Sequence, residues 1–253
     1  MIDMDIFKLD SHIGKYILVG QVGSKSYGTD TPESDDDFVG VAVAPLSHYT
    51  GLDHWENDGT LEIKRKETHN AEIVIFELKK FLKLCLAFNP NVIPLLYLRE
   101  QDYTTKLTGG QMLIDNRDAF TSRRAYKTLI GYAEFQRHTV TECNTGKLGQ
   151  KRKELVAKFG YDVKYASHTI RILRMGIEFF DTGKLNVYRT WDQEELKDIR
   201  NGKWPLDKWL KLVDSLLNEA KFCESRNLLP EKSDYNRVNW MCMRLVDMYV
   251  TGN

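Results

Sequence analysis

Gly23 and Ser24 close one apolar run, and ten residues later Asp35, Asp36 and Asp37 lead into another, Phe38-Val39-Gly40-Val41-Ala42-Val43. Carboxylates repel one another and resist burial unless something positive holds them. Side chains alternate across a strand, so Asp35 and Asp37 share one face and Asp36 takes the other. Two carboxylates on one face make a clamp for a divalent cation, provided a third oxygen ligand arrives from elsewhere. Mg²⁺ in particular takes a few carboxylates, waters and phosphate oxygens in octahedral array. At Gly23-Ser24, glycine allows close backbone approach and serine adds a hydroxyl. Free N–H groups at a strand-to-helix turn suit a triphosphate tail. Ser34-Asp35-Asp36-Asp37 by itself reads as a solvated acidic turn; the Gly-Ser pair and the flanking apolar strands favour a metal and phosphate site.

The elements that must hold these residues are legible nearby. Tyr16–Val22 is β-rich and ends at Gly23-Ser24, and a second strand runs over Asp35–Val43 after the polar turn Thr29–Ser34. Leu61–Lys66 alternates apolar and charged residues, as a half-exposed edge strand does, and Glu72–Phe76 is a further apolar strand. Glu77–Ala87 has helical spacing, with Leu78, Phe81, Leu82 and Leu86 on one face. Asn89-Pro90 reads as the cap and first turn of another short helix. Beyond residue 100 the pattern turns helical, over Ser122–Thr141, Tyr161–Asp181, Leu206–Arg226 and Tyr235–Val250. The elements read as an α/β domain over 1–100 followed by a helical domain over 101–253.

The 253 residues are 42% hydrophobic and 28% charged, with zero net charge, the composition of an ordinary water-soluble protein. That neutrality hides an asymmetry. Residues 1–100 hold 10 Lys and Arg against 16 Asp and Glu, and residues 101–253 hold 26 against 20. An acidic half beside a basic half suits a metal-using, polyanion-binding protein. No apolar run reaches membrane-spanning length, and the first residues are acidic rather than signal-like. Cys85, Cys143, Cys223 and Cys242 are scattered without metal-ligand spacing. They read as reduced thiols of a cytoplasmic protein, not a zinc site.

"GSKSYGTDTPESDDDFVGV" resembles the signature of the polymerase-β-type nucleotidyltransferase superfamily: Gly-Ser, a ten-residue interval, then Asp-x-Asp entering a strand. The string is more narrowly similar to a bacterial and phage subfamily predicted to act in RNA repair. "EIVIFELKKFLKLCLAFNPN" and "GYDVKYASHTIRILRMGIEFFDTGKLNVYR" resemble that subfamily's third acidic strand and its helical core. The resemblance implies an α+β fold, a polymerase-β-like catalytic domain with a short mixed sheet and flanking helices followed by an α-helical domain. In it Asp35 and Asp37 would bridge two Mg²⁺ ions, with Mn²⁺ able to substitute. Glu72, at the head of its strand, completes the trio by matching the family's acid there; Glu62, Glu67 and Glu77 compete for the role. Glu62 lies on the edge strand and Glu77 in a helix, and both read as solvated. Gly23, Ser24 and Lys25 would hold the NTP's phosphates. One departure stands out: Val92-Ile93-Pro94-Leu95-Leu96 carries no acid where the family has one, and Pro94 predicts a kinked or restarted helix.

In the basic half, Lys164, His168 and Arg171 fall four and three residues apart, as a stripe on one helix face, with Ala166, Ile170, Leu173 and Ile177 on the core face. Such a stripe is a solvated face unless it grips something. The resemblance makes the three residues nucleotide-binding candidates. Residues 121–158 hold Arg123, Arg124, Lys127, Arg137, Lys147, Lys151, Arg152, Lys153 and Lys158, interleaved with Tyr126, Tyr132 and Phe135. Basic residues with aromatics suit single-stranded RNA as well as a solvated helix packed on a core. The expected activity is Mg²⁺-dependent transfer of a nucleoside monophosphate from an NTP to an acceptor hydroxyl, releasing pyrophosphate, with an RNA end as acceptor. The alternatives are a small-molecule or protein acceptor, or a non-catalytic nucleotide-sensing or antitoxin-type module of the same fold.

Overall fold

The computed structural model describes residues 14–32, 34–55, 59–65, 71–142, 150–226 and 228–251. Strands β1 (Lys15–Val22), β2 (Asp36–Val43), β3 (Thr60–Arg65), β4 (Ala71–Glu77) and β5 (Tyr103–Lys106) form a mixed sheet in the order β3-β4-β2-β1-β5. β1 runs antiparallel to β2 and β5, β3 antiparallel to β4, and β2 parallel to β4. The apolar alternation explains the register. Ala71, Ile73 and Ile75 of β4 are buried, and they pair with Asp36, Phe38 and Gly40 on one face of the sheet. That face carries a core of Val19, Phe38, Ala42, Ala71, Ile73 and Ile75, with Leu61 and Ile63 of β3 packed against it.

Two short helices, α1 (Gly23–Tyr27) and α2 (Leu46–Thr50), follow β1 and β2. Helix α3 (Leu78–Leu86) leaves β4 directly and buries Leu78, Phe81, Leu82 and Cys85. Asn89 caps the next turn by accepting the N–H of Asn91 on Oδ1 at 2.9 Å. The helix expected there is a single 3₁₀ segment, Ile93–Tyr97, with Pro94 in its first turn, where the missing N–H costs least.

The chain divides into two units, Met1–Thr121 with Ser233–Asn253, and Ser122–Lys232. The sequence reading set the change near residue 100 and gave everything after it to the helical domain. The structure instead gives β5, α4 (Thr108–Asp115) and the final helix α10 (Tyr235–Val246) to the sheet-bearing unit. Specific bonds tie that last segment in. Asp234 N–H donates to the Ala119 carbonyl at 2.9 Å. Arg237 reaches Asn116 Oδ1 and Asp118 Oδ2, each at 2.8 Å. Tyr249 Oη accepts the N–H of Gly109 at 2.9 Å.

The second unit comprises α5 (Arg124–Glu142), α6 (Gln150–Phe159), α7 (Val163–Thr182), α8 (Gln193–Arg200) and α9 (Leu206–Ser225). Its centre is α7, where Asp162 caps the start by accepting from Tyr165 N–H and Gly183 ends the helix in the left-handed conformation. Ala166, Ile170 and Leu173 are fully buried and Ile177 is nearly so, which matches the core face read from their spacing. Among the described residues, no helix is long and apolar enough to cross a membrane. Cys85 and Cys223 are buried free thiols and Cys242 is half-buried; Cys143 lies outside the described residues.

Candidate active site

The acidic site is assembled by backbone register. Asp37 of β2 is the parallel partner of Glu72 on β4, and on its other side it pairs with Val22, the last residue of β1. Register partners project to the same side of a sheet, so Asp37 and Glu72 stand side by side. This is the face opposite the core of Phe38 and Ile73. Both residues are half-buried, and Asp35, one residue before β2, is exposed.

Gly23 is required by this arrangement. Its φ of +71° lies in the left-handed region, and a Cβ added there would overlap Asp37 Oδ2 and come within 3.2 Å of Asp37 Cβ. The turn from β1 into α1 therefore presses backbone directly against the second aspartate, a fit only glycine permits. Gly28, also left-handed at φ 71°, ends α1 with its N–H on the Lys25 carbonyl at 3.1 Å. Gly23→Ala is expected to leave Asp37 displaced and to cost about 1–2 kcal/mol in backbone strain. Thermal unfolding, together with a crystal structure of the variant, checks both parts.

Asp36 answers why three aspartates tolerate one another. It points to the core side, is buried, and accepts from Gln21 Nε2 at 2.7 Å on the same oxygen that pairs with the Lys25 ammonium. Lys25, expected to help hold phosphates, is the cation that lets Asp36 be buried. A part in phosphate binding would have to be shared with that pair, through the other N–H donors of the ammonium. The competitors for the third acid also separate. Glu62 is exposed on β3, as expected. Glu77 is not solvated: it ends β4, is 4% exposed, accepts Lys80 N–H at 3.1 Å and receives the Tyr49 hydroxyl at 2.8 Å. Burial, with Glu77 alongside, pushes the Tyr49 hydroxyl pKa far up. Glu67 lies outside the described residues.

The donor set suits a hard cation, since Asp35, Asp37 and Glu72 offer carboxylate oxygens alone. Among the described residues, no three His, Cys, Asp or Glu side chains are gathered as they would be around a metal ion. Register brings two of the three acids together. Like-charged carboxylates have no reason to converge further without a cation between them.

On α7 the expected stripe is not a solvated face. Lys164 is exposed, but Arg171 is 5% exposed and bonds Met175 Sδ through Nη1 at 3.1 Å. His168 is mostly buried. Its Nδ1 lies 3.2 Å from Gln136 Nε2, and Tyr132 packs edge-on at 5.8 Å. Burial first, then Arg171, Arg152 and Lys164, holds the His168 pKa well below its usual value. Of the aromatics interleaved with the basic run, Tyr126 packs on Phe180 at 5.3 Å while Phe135 stays exposed. Arg137 pairs with Asp214 at 2.8 Å and Arg152 with Asp162 at 3.2 Å. Lys147 and the side chain of Lys151 lie outside the described residues.

Residues 3–200 match the family model RlaP, the RNA repair pathway DNA polymerase beta family. The chain belongs to that family. The match takes in the whole sheet of this RlaP chain and its helices through α8, so both the acidic strands and the α7 cations lie inside it. No curated protein matches the RlaP chain. The spacing of residues did not reveal the Lys25–Asp36–Gln21 lock, although alternation already placed Asp36 on the far face. Nor did it reveal Gln136 behind His168, for which the sequence holds no signal.

Proposed function

We propose that this protein is a nucleotidyltransferase that moves a nucleoside monophosphate from an NTP to the hydroxyl of an RNA end. The observation that carries the reading is the pairing of Asp37 with Glu72 on adjacent parallel strands, with the Gly23 backbone packed against Asp37. Family membership supports the same chemistry.

Asp35 and Asp37 would hold divalent cations, Mg²⁺ by preference, with Glu72 serving the acceptor side. When bound, such ions lower the pKa of an acceptor hydroxyl and offset the charge developing on the phosphates. The chain's own part is positional. Parallel β2 and β4 fix the spacing of Asp37 and Glu72, so the negative charge sits on a rigid sheet rather than a loop. Gly23 brings backbone close to that charge, and Ser24 adds a hydroxyl where the triphosphate would rest. Asp36 has no place in the reaction; with Lys25 it anchors α1 to β2. Lys164, His168 and Arg171 remain candidates for holding nucleotide phosphates through the helical unit.

Incubation with Mg²⁺, α-labelled NTPs and total RNA tests the proposal. Label is expected in RNA, with one pyrophosphate released per nucleotide joined. Label in the protein itself or in a small molecule would move the acceptor assignment. Absence of pyrophosphate with every NTP would refute the enzyme reading and favour a nucleotide sensor of the same fold.

A further inference from the structure

The loop joining α7 to α8 buries Leu185, Val187, Arg189 and Asp192, yet leaves Trp191, its largest apolar side chain, 65% exposed. Lone exposed apolar residues are common and call for no account by themselves. Trp191 differs in being held. Its Nε1–H donates to Glu178 Oε1 at 3.1 Å, and Glu178 is itself fixed by Arg189 and by Asn186 Nδ2 at 3.0 Å. The Arg174 and Arg189 guanidiniums lie 4.8 and 5.4 Å from the ring centroid. Both also donate to Asp192 Oδ2, at 3.2 and 3.1 Å, which gathers them on one side of the indole. The other side is left to water.

A planar ring clamped at its N–H and on one face suits a planar ligand on the other. Its rotamer freedom is already lost, so binding there costs little further side-chain entropy. The exposed neighbours Asn186, Thr190 and Glu194 are polar, so no apolar groove continues from the ring. An aliphatic segment or an amphipathic helix would cover one side chain and leave the rest of its own face unmatched. A cation on the outer face would meet an indole whose attraction for charge two guanidiniums already use. A neutral aromatic ring of similar size gains its full contact area by stacking there. Every nucleobase has such a face, and single strands are held on aromatic side chains in this way. Glu178, Asp192 and Glu195 are each paired with Arg174 or Arg189. Both guanidiniums are therefore engaged, and the platform offers a base its area without a phosphate contact.

We propose that Trp191 is a stacking platform for one unpaired nucleobase, carried on the helical unit. The proposal rests on the reading of this protein as one that handles RNA and nucleotides, and it adds where a base sits. Stacking itself requires neither metal nor transfer. The base comes either from a single-stranded RNA or from a free nucleotide.

The test uses the full chain without divalent metal, so that a failure of the transfer reading leaves it standing. Anisotropy of a fluorescein-labelled oligoadenylate measures strand binding, and isothermal titration with ATP measures the free nucleotide. Trp191→Ala is expected to weaken binding about fivefold to a hundredfold, the range for one base stacked on an aromatic side chain. The factor should be the same at low and high salt, because no phosphate contact goes with the indole. Trp191→Phe, which keeps a ring, should recover most of the affinity. Trp191→Leu keeps apolar bulk without a ring, so it reports on stacking even if Trp191→Ala fails to fold, and it should bind as weakly. A loss confined to oligoadenylate assigns the base to RNA, a loss confined to ATP assigns it to the nucleotide, and a loss for both shows that the platform takes either. Wild-type protein that binds neither, affinity for both unchanged in Trp191→Ala or in Trp191→Leu, or a loss that fades as salt rises, would overturn the inference.

Discussion

Asp37→Asn is expected to lower nucleotidyl transfer roughly 10²–10³-fold or more, the scale of loss when a preorganised electrostatic group is removed from a reacting centre. Its fold should survive. Asp37 stands beside Glu72 in register, and like charges directly opposite on a sheet are mutually destabilising. Neutralising one of them in metal-free protein should leave the melting temperature unchanged or slightly raised. Asp36→Asn should show the reverse pattern. Asp36 is buried on the other face and takes both Lys25 and Gln21. Its neutralisation should cost about 1–3 kcal/mol by weakening a charged hydrogen bond, while transfer per folded molecule stays near normal. Pyrophosphate release and thermal melts in EDTA, run on both variants, separate the two roles of adjacent aspartates.

Arg189→Met is expected to destabilise the helical unit by about 3–5 kcal/mol, the cost of stranding buried partner charges. Arg189 is 1% exposed and serves two carboxylates at once: Glu178 at 2.7 and 2.9 Å, and Asp192 at 2.9 and 3.1 Å. Asp192 also receives Arg174 at 3.2 Å, and the exposed Trp191 ring lies over both guanidiniums at 4.8 and 5.4 Å. Removing Arg189 leaves Glu178 with Trp191 and Asn186, neither of which carries charge. Urea unfolding followed by circular dichroism measures the loss. The double variant Arg189→Met, Glu178→Leu should recover part of it, because one stranded charge has gone.

How far the sequence reveals this molecule depends on whether a signal is local. β1, β2, β3 and β4 were legible to within a residue or two, because each is an apolar run or an alternating one bounded by turn residues. The same holds for α3, α5, α7 and α9, whose apolar faces repeat over several turns. β5 was missed. Tyr103-Thr104-Thr105-Lys106 is four residues with no buried side chain, and it becomes a strand only by pairing with β1, far away in the chain. The return of Ser233–Asn253 to the first unit was hidden for the same reason. Helical spacing shows that α10 has an apolar face, but not which unit that face covers.

At the site, alternation and a family signature together pointed to Asp35, Asp37 and Glu72. Register then showed that Asp37 and Glu72 are neighbours, which neither run of residues could say by itself. Burial of charge was the weakest inference. Arg171 looked like part of a solvated stripe and Glu77 like a surface acid, since charged residues are rarely interior. Glu77 is buried because the distant Tyr49 hydroxyl and the Lys80 N–H both donate to it, whereas Arg171 is buried with its guanidinium on Met175, one turn along its own helix.

Anomalous scattering from Mn²⁺ in crystals grown with a non-hydrolysable NTP tests the central claim most directly. The account predicts manganese in contact with carboxylate oxygens of Asp37 and Asp35 or Glu72, and with nucleotide phosphate oxygens, on the sheet face opposite Phe38 and Ile73. Nucleotide bound with no manganese at Asp37, or manganese held by other residues altogether, would contradict it.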